Sequence, residues 1–166
     1  MLKIWETLLE TLDLDNITLV VNDWGGPTGL SYAINHPDRI KNIVITNTWL
    51  WSVSNDWYYQ AFSRFMGGLI GRWLIRRFNF FVKVVMPMAY GDKARLTPEI
   101  HRHYLMALSV PAERKGCWVF PGQIIGSSGW LDDLWSWRSA LEGKVKLIAW
   151  GMKDIAFREK SLITGL

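Results

Sequence analysis

Leu19-Val20-Val21-Asn22-Asp23-Trp24-Gly25-Gly26-Pro27 passes from an apolar, β-branched run through one acid into two glycines and a proline. Ile17 to Val21 predicts a short strand buried on both faces. Gly25 and Gly26 allow a cramped backbone, and Pro27 suits the first turn of a helix. The stretch therefore reads as strand, sharp turn and helix, with the Asp23 carboxylate at the tip. Upstream, Trp5, Leu8, Leu9 and Leu12 recur at helical spacing, which predicts a helix over 2–12 with one apolar face. Asp13 to Asn16 make the turn into the strand. Downstream, Leu30, Ala33 and Ile34 continue the second helix inward. It stops at His36-Pro37, because a residue before proline is pushed out of helical geometry. Ile43 to Thr46 reads as a second buried strand. Strand, helix, strand implies a parallel pair with a right-handed crossover.

The pattern then changes. Residues 48–129 contain no convincing strand. Helices are expected near 55–67, 69–78, 97–107 and 112–118, as an all-helical insertion in an α/β sheet. A helix through Leu131, Leu134, Trp135 and Leu141 leads to a third strand at Val145 to Trp150. Gly151-Met152-Lys153-Asp154 places a second acid just past that strand. In open α/β sheets, sites assemble at the carboxyl ends of the strands, where both Asp23 and Asp154 are expected.

Composition narrows the class. The chain has 166 residues, 49% apolar and 20% charged, which is globular rather than disordered. Eleven tryptophans point to an aromatic-walled region between Trp49 and Trp137. The net charge is +4, densest at Arg72, Arg76 and Arg77. That patch is read as the solvated rim of an otherwise buried helix, with neither nucleic acid nor membrane as partner. No run reaches the roughly 18 apolar residues of a spanning helix. Met1-Leu2-Lys3-Ile4-Trp5-Glu6 lacks the apolar core of a signal peptide. The single cysteine, Cys117, excludes an internal disulfide and fits a reducing, cytoplasmic compartment. Its neighbours Trp118, Val119 and Phe120 suggest a buried thiol.

A nucleophile elbow is a strained strand-to-helix turn that lifts one side chain above a sheet. Here Val21 stands where glycine is common, and Asp23 stands where many such enzymes carry serine. A carboxylate can displace a leaving group from saturated carbon to give an alkyl ester, which water then cleaves. At this point the sequence resembles the haloalkane dehalogenases of the α/β-hydrolase fold. The resemblance rests on Val20 to Pro27, His36-Pro37-Asp38-Arg39-Ile40, Asn47-Thr48-Trp49 and Trp150 to Asp154, in that order. It implies a partial α/β-hydrolase fold with an all-helical cap. Residues 1–47 would be the first part of the core, 48–129 the cap and 130–166 the second part.

The resemblance further implies that Asp23 is the nucleophile. Trp24 would give its indole N–H to the departing halide and its backbone N–H to an oxyanion hole. Asp154 would orient a catalytic histidine, since Asn47 is an amide where some members carry that acid. The partners would be a small hydrophobic halogenated substrate, halide ion and water, with no cofactor and no metal. Indole suits the halide site chemically, being donor-only and otherwise apolar. The plainer alternative for Asp23 is a helix N-cap. Trp49, Trp51, Trp57, Trp73, Trp118, Trp130, Trp135 and Trp137 are expected to be packing residues. His36, His101 and His103 do not occupy the family's catalytic-histidine position. That histidine, the second oxyanion donor and an asparagine halide donor are expected outside these 166 residues, so the chain reads as an internal fragment. The competing readings are an epoxide hydrolase, with Tyr58, Tyr59, Tyr90 or Tyr104 polarising the epoxide oxygen, and a non-catalytic truncated hydrolase.

Three strands leave the nucleophile strand with an unpaired hydrophobic edge, an aggregation hazard. The chain expressed alone is expected to be poorly soluble. Sedimentation and thermal melting check this; a monomer with a cooperative melt would contradict it.

Overall fold

The computed structural model describes residues 2–159 and 162. The chain divides into two compact units. The first comprises the chain up to Trp51, Gly129–Met152 and the part from Phe157 onward; the second comprises Ser52–Ser128 and Lys153–Ala156.

In the first unit, helix α1 (Leu2–Thr11) precedes strand β1 (Ile17–Asp23), helix α2 (Gly25–Asn35) and strand β2 (Ile40–Thr48). Strand β3 (Val145–Ala149) completes a sheet of order β1-β2-β3, parallel at both pairings. The register sets Ile17 against Ile40 and Asp23 against Thr48. The amino ends are tied by Lys144, whose ammonium donates to the carbonyls of Pro37 (2.7 Å) and Ile40 (2.9 Å). The carboxyl ends are tied by Asn47. Its amide accepts from Gly151 N at 2.7 Å and donates to Gly151 O at 3.2 Å.

Leu19, Val21 and Ile43 join Leu9, Leu30, Ala33, Ile34, Leu134 and Leu141 in one buried cluster. Burial of both faces of β1 is corrected by the structure. Val20 is 69% exposed, and Thr18 and Asn22 on the same face are exposed too. Side chains alternate across a strand, and α2 packs on β1 from the face that Leu19 and Val21 line. The apolar face expected for α1 is likewise only half used: Leu9 is buried and Trp5 packs on the cluster, while Leu8 and Leu12 are exposed.

The second unit is helical. It contains α3 (Trp57–Gly67), α4 (Leu69–Phe78), α5 (Met86–Ala89), α6 (Pro98–Ala107) and α7 (Gly116–Gly126). Helix α8 (Ser128–Ser136) leads back to the first. The caps follow sequence logic. Asp56 accepts from Tyr58 N ahead of α3, and Thr97 accepts from Ile100 N ahead of α6, with Pro98 in the first turn. Two features were not foreseen. Phe81–Val85 forms a π-helix, and α7 starts later than expected and runs through Pro121 to Gly126. Packing overrides the proline there: α7 lies so close to α3 that a Cβ on Gly67 would stand 2.6 Å from Gly122 Cα.

The polar anchor of this unit is Arg114. Its buried guanidinium donates to the carbonyls of Leu108 (2.7 Å), Ile75 (3.4 Å), Arg76 (2.7 Å) and Ser109. Two of these acceptors lie in the last turn of α4, where a cation is favoured; Ile75 O also accepts from Asn79 N at 3.0 Å. Asn79, left-handed at φ 55°, closes the same helix and donates to Leu108 O at 3.0 Å. Arg114→Met keeps the apolar stem but removes the guanidinium from the Arg76 and Ser109 carbonyls, while Asn79 still serves those of Ile75 and Leu108. It should cost about 3 kcal/mol, read as a lower urea midpoint at unchanged slope. A change below about 0.5 kcal/mol would contradict the anchor role.

Candidate active site

The site is built on a backbone conformation. Asp23 ends β1 with φ 48°, in the left-handed region that L-residues with a Cβ seldom enter. Such a residue persists only where its surroundings hold it. Here the Thr48 hydroxyl donates to the Asp23 carbonyl at 2.6 Å. One turn of the ladder back, the Thr46 hydroxyl donates to Val21 O at 2.9 Å. Asn22 Nδ2 reaches Thr46 Oγ1 at 3.0 Å and Asn47 O at 3.4 Å. The end of β2 thus clamps the turn residue by residue.

The glycine that matters most is Gly26. A Cβ there would collide with the Thr48 side chain, and one on Gly29 would stand 2.9 Å from Val21 Cγ1. Both glycines let α2 approach the sheet closely. The N-cap position of α2 falls on Trp24, one residue beyond Asp23, and no side-chain bond caps it there. Trp24 itself has helical backbone, with φ −60° and ψ −16°, so the helix boundary does not separate the N-cap reading of Asp23 from the nucleophile reading. Asp23 itself is exposed.

Trp24 meets Trp49 edge to face, with centroids 4.8 Å apart and planes at 74°. Trp49 follows β2 directly and is 93% buried by its 7% exposure. Its indole N–H has no hydrogen-bond partner among the described residues, an arrangement that carries a desolvation cost. Phe157 lies against it at 5.6 Å, and Trp150 Nε1 donates to Phe157 O at 3.0 Å. Sequence reasoning assigned Trp49 to packing; only its unpartnered donor beside Trp24 distinguishes it, and spacing carries no trace of that. Trp57, Trp73 and Trp137, also expected to pack, are exposed. A cavity of about 420 Å³ in the same unit is walled by Ile45, Trp49, Trp51, Trp135, Ile148 and Trp150. Asp23 and Trp24 are not among its lining residues.

Asp154 follows β3 by five positions and belongs to the second unit. It is half-buried, and its Oδ1 accepts from Ala156 N at 2.8 Å. The Tyr58 and Tyr59 hydroxyls donate to the carbonyls of Ile155 and Ala156, at 3.2 and 2.7 Å. His36 stacks on Tyr32 just before β2 begins. The register puts it at the amino ends of the strands, the length of seven-residue β1 away from Asp23, or about 20 Å. His101 Nε2 lies 2.8 Å from Val82 O within the helical unit. Cys117 is half-buried; burial pushes its thiol above the ordinary range, outweighing the lowering by Arg114, so it stays protonated at neutral pH.

Asp23 thus stands in left-handed backbone at the carboxyl end of a parallel strand, followed by a helix that glycine lets approach the sheet. The chain belongs to the alpha/beta hydrolase fold family, whose model matches residues 1–163. It is 35% identical over 159 residues to haloalkane dehalogenase 2 of Mycobacterium bovis, covering 95% of this chain and 54% of that one. It is 29% identical over 171 residues to the cis-3-alkyl-4-alkyloxetan-2-one decarboxylase of Shewanella oneidensis, covering 95% and 52%. The chain thus spans about half the length of these relatives. Its fold is similar to the crystal structure of the haloalkane dehalogenase DbeA from Bradyrhizobium elkani USDA94. The TM-score is 0.75 at 20% identity, over 96% of this chain and 60% of that one.

Gly26→Ala drives a methyl group into Thr48 and should destabilise the first unit by about 2 kcal/mol. Adding Thr48→Ala should recover part of that loss, because the colliding atoms go. Urea titration of both single variants and the double variant measures the coupling. Strict additivity would show that the two residues do not share the turn.

Proposed function

We propose that this chain carries the nucleophilic half of a haloalkane dehalogenase, with Asp23 as nucleophile. The observation that carries this reading is the left-handed backbone of Asp23 at the carboxyl end of β1, with Trp24 next to it. A carboxylate oxygen of Asp23 attacks the halogen-bearing carbon. A C–O bond forms, the carbon–halogen bond breaks, and its electron pair leaves as halide. Trp24 donates its indole N–H to that halide. Trp49, whose N–H is buried without a partner against Trp24, is the second donor in this reading. Water then cleaves the ester, giving the alcohol and regenerating Asp23. That step needs a base, and Asp154 is assigned to orient the histidine that provides it. In low-dielectric sites a preorganised donor contributes about 10²–10³ in rate.

A second reading is favoured by the similarity to the oxetanone decarboxylase. The same carboxylate could attack C4 of an oxetan-2-one, breaking the ring C–O bond and freeing a carboxylate. Loss of carbon dioxide then forms the alkene and expels Asp23. That sequence consumes no water and needs no base. An epoxide hydrolase is less well supported, because the hydroxyls of Tyr58 and Tyr59 donate to backbone carbonyls.

The test follows product release by the 166-residue chain. With a bromoalkane, about one equivalent of bromide should appear in a burst and further release should be slow. Asp23→Asn should abolish the burst. Trp24→Phe should slow it about 100-fold and Trp49→Phe about 10-fold. Unaltered bromide release by Asp23→Asn would overturn the assignment. Steady carbon dioxide release from a dialkyl oxetanone without a bromide burst would select the second reading.

A further inference from the structure

Helix α4 carries an exposed face that the proposed chemistry does not use. Only Gly71 and Ile75 of its ten residues are buried, so the expectation of an otherwise buried helix with a solvated rim does not hold. At 100° per residue, Leu69, Ile70, Arg72, Trp73, Arg76 and Arg77 fall in one outward arc. Leu69 is 85% exposed, Ile70 67% and Trp73 58%. The three arginines are exposed as well. Among the described residues, none of them has a carboxylate within ion-pair distance. Arg72 lies over Trp118 and Arg77 over Phe78, both as cation–π contacts.

We propose that this face of α4 docks on the surface of an anionic lipid bilayer. Apolar and aromatic side chains alternating with arginine on one helical face match the interface of a membrane. Leucine, isoleucine and tryptophan enter the boundary between headgroups and acyl chains. Arginine stems bend so that the guanidinium reaches lipid phosphate. The charge pattern selects this occupant over a second copy of the chain. Two such faces meeting about a two-fold axis would set arginines against arginines with no acid to offset them. It also selects against nucleic acid, where Leu69 and Ile70 would face phosphates and gain nothing. The helix is far too short to span a bilayer, and no helix among the described residues is long and apolar enough to do so. The contact is therefore peripheral.

Flotation of the 166-residue chain with vesicles tests this without confusion from self-association. It should float with phosphatidylcholine–phosphatidylglycerol vesicles and stay behind with phosphatidylcholine alone. Replacing Arg72, Arg76 and Arg77 by Gln should weaken binding about 100-fold at low salt, from about fivefold per charge, and much less at high salt. Leu69→Ser with Trp73→Ser should weaken it at both salt concentrations. All these side chains are exposed, so unchanged circular dichroism is expected. Binding to neither vesicle type, or equally to both, would overturn the proposal. So would duplex DNA binding that survives the serine changes, or serine changes that dissociate an oligomer while vesicle binding persists.

Discussion

The hydrogen bond from the Thr48 hydroxyl to the Asp23 carbonyl, 2.6 Å long, is the contact on which the turn between β1 and α2 depends. It holds a residue with a Cβ in left-handed backbone at the point where β1 stops and α2 begins. An isolated chain resists that conformation by about 1–2 kcal/mol. The parallel partner strand offsets this through pairing and through a hydroxyl aimed at the turn. The cost falls elsewhere too: Gly26 has to lack a side chain so that α2 clears Thr48. Strand end, turn and helix start are thus one mechanical device, in which a small residue and a clamping hydroxyl serve one exposed carboxylate.

Around the device the first unit is unevenly finished. One face of the sheet buries Leu19, Val21 and Ile43 under helices, while Val20 on the other face is open to solvent. The carboxyl ends of β2 and β3 are joined by the reciprocal Asn47–Gly151 bonds, whereas the start of β3 hangs on Lys144. Polar clamps of this kind substitute for packing where little apolar area is buried. The helical unit uses the same strategy at Arg114, whose guanidinium gathers carbonyls from α4 and from the segment after α6. Each unit thus relies on a few charged or amide groups pointed at backbone oxygens.

Much of this was legible in the sequence because it is local. The β-branched run, the glycine pair, Pro27 and His36-Pro37 each report on backbone geometry within a few residues, and their elements formed as expected. The helices expected at 55–67, 69–78 and 97–107 formed within two residues of those bounds, while their caps, Asp56 and Thr97, emerged only from the structure. Burial was less legible, because it depends on what lies opposite. Val20 and Trp73 look like core residues in a string of letters and are solvent-facing in space. Helix α7 was misplaced because Pro121 reads as a breaker, while the close approach of Gly67 to Gly122 is a long-range fact. Trp49 illustrates the limit most clearly. Its identity suggested packing, and only the three-dimensional surroundings reveal a buried N–H without a partner next to Trp24.

The central claim is that the strained turn exists to present one carboxylate as a nucleophile. Peptide mapping by tandem mass spectrometry, after incubation of the chain with a bromoalkane, tests it at the level of a single residue. The account predicts one alkyl group, carried as an ester on Asp23 and removed by mild base. An alkyl group spread over several surface carboxylates, or lodged on Asp154 with Asp23 unmodified, would contradict it.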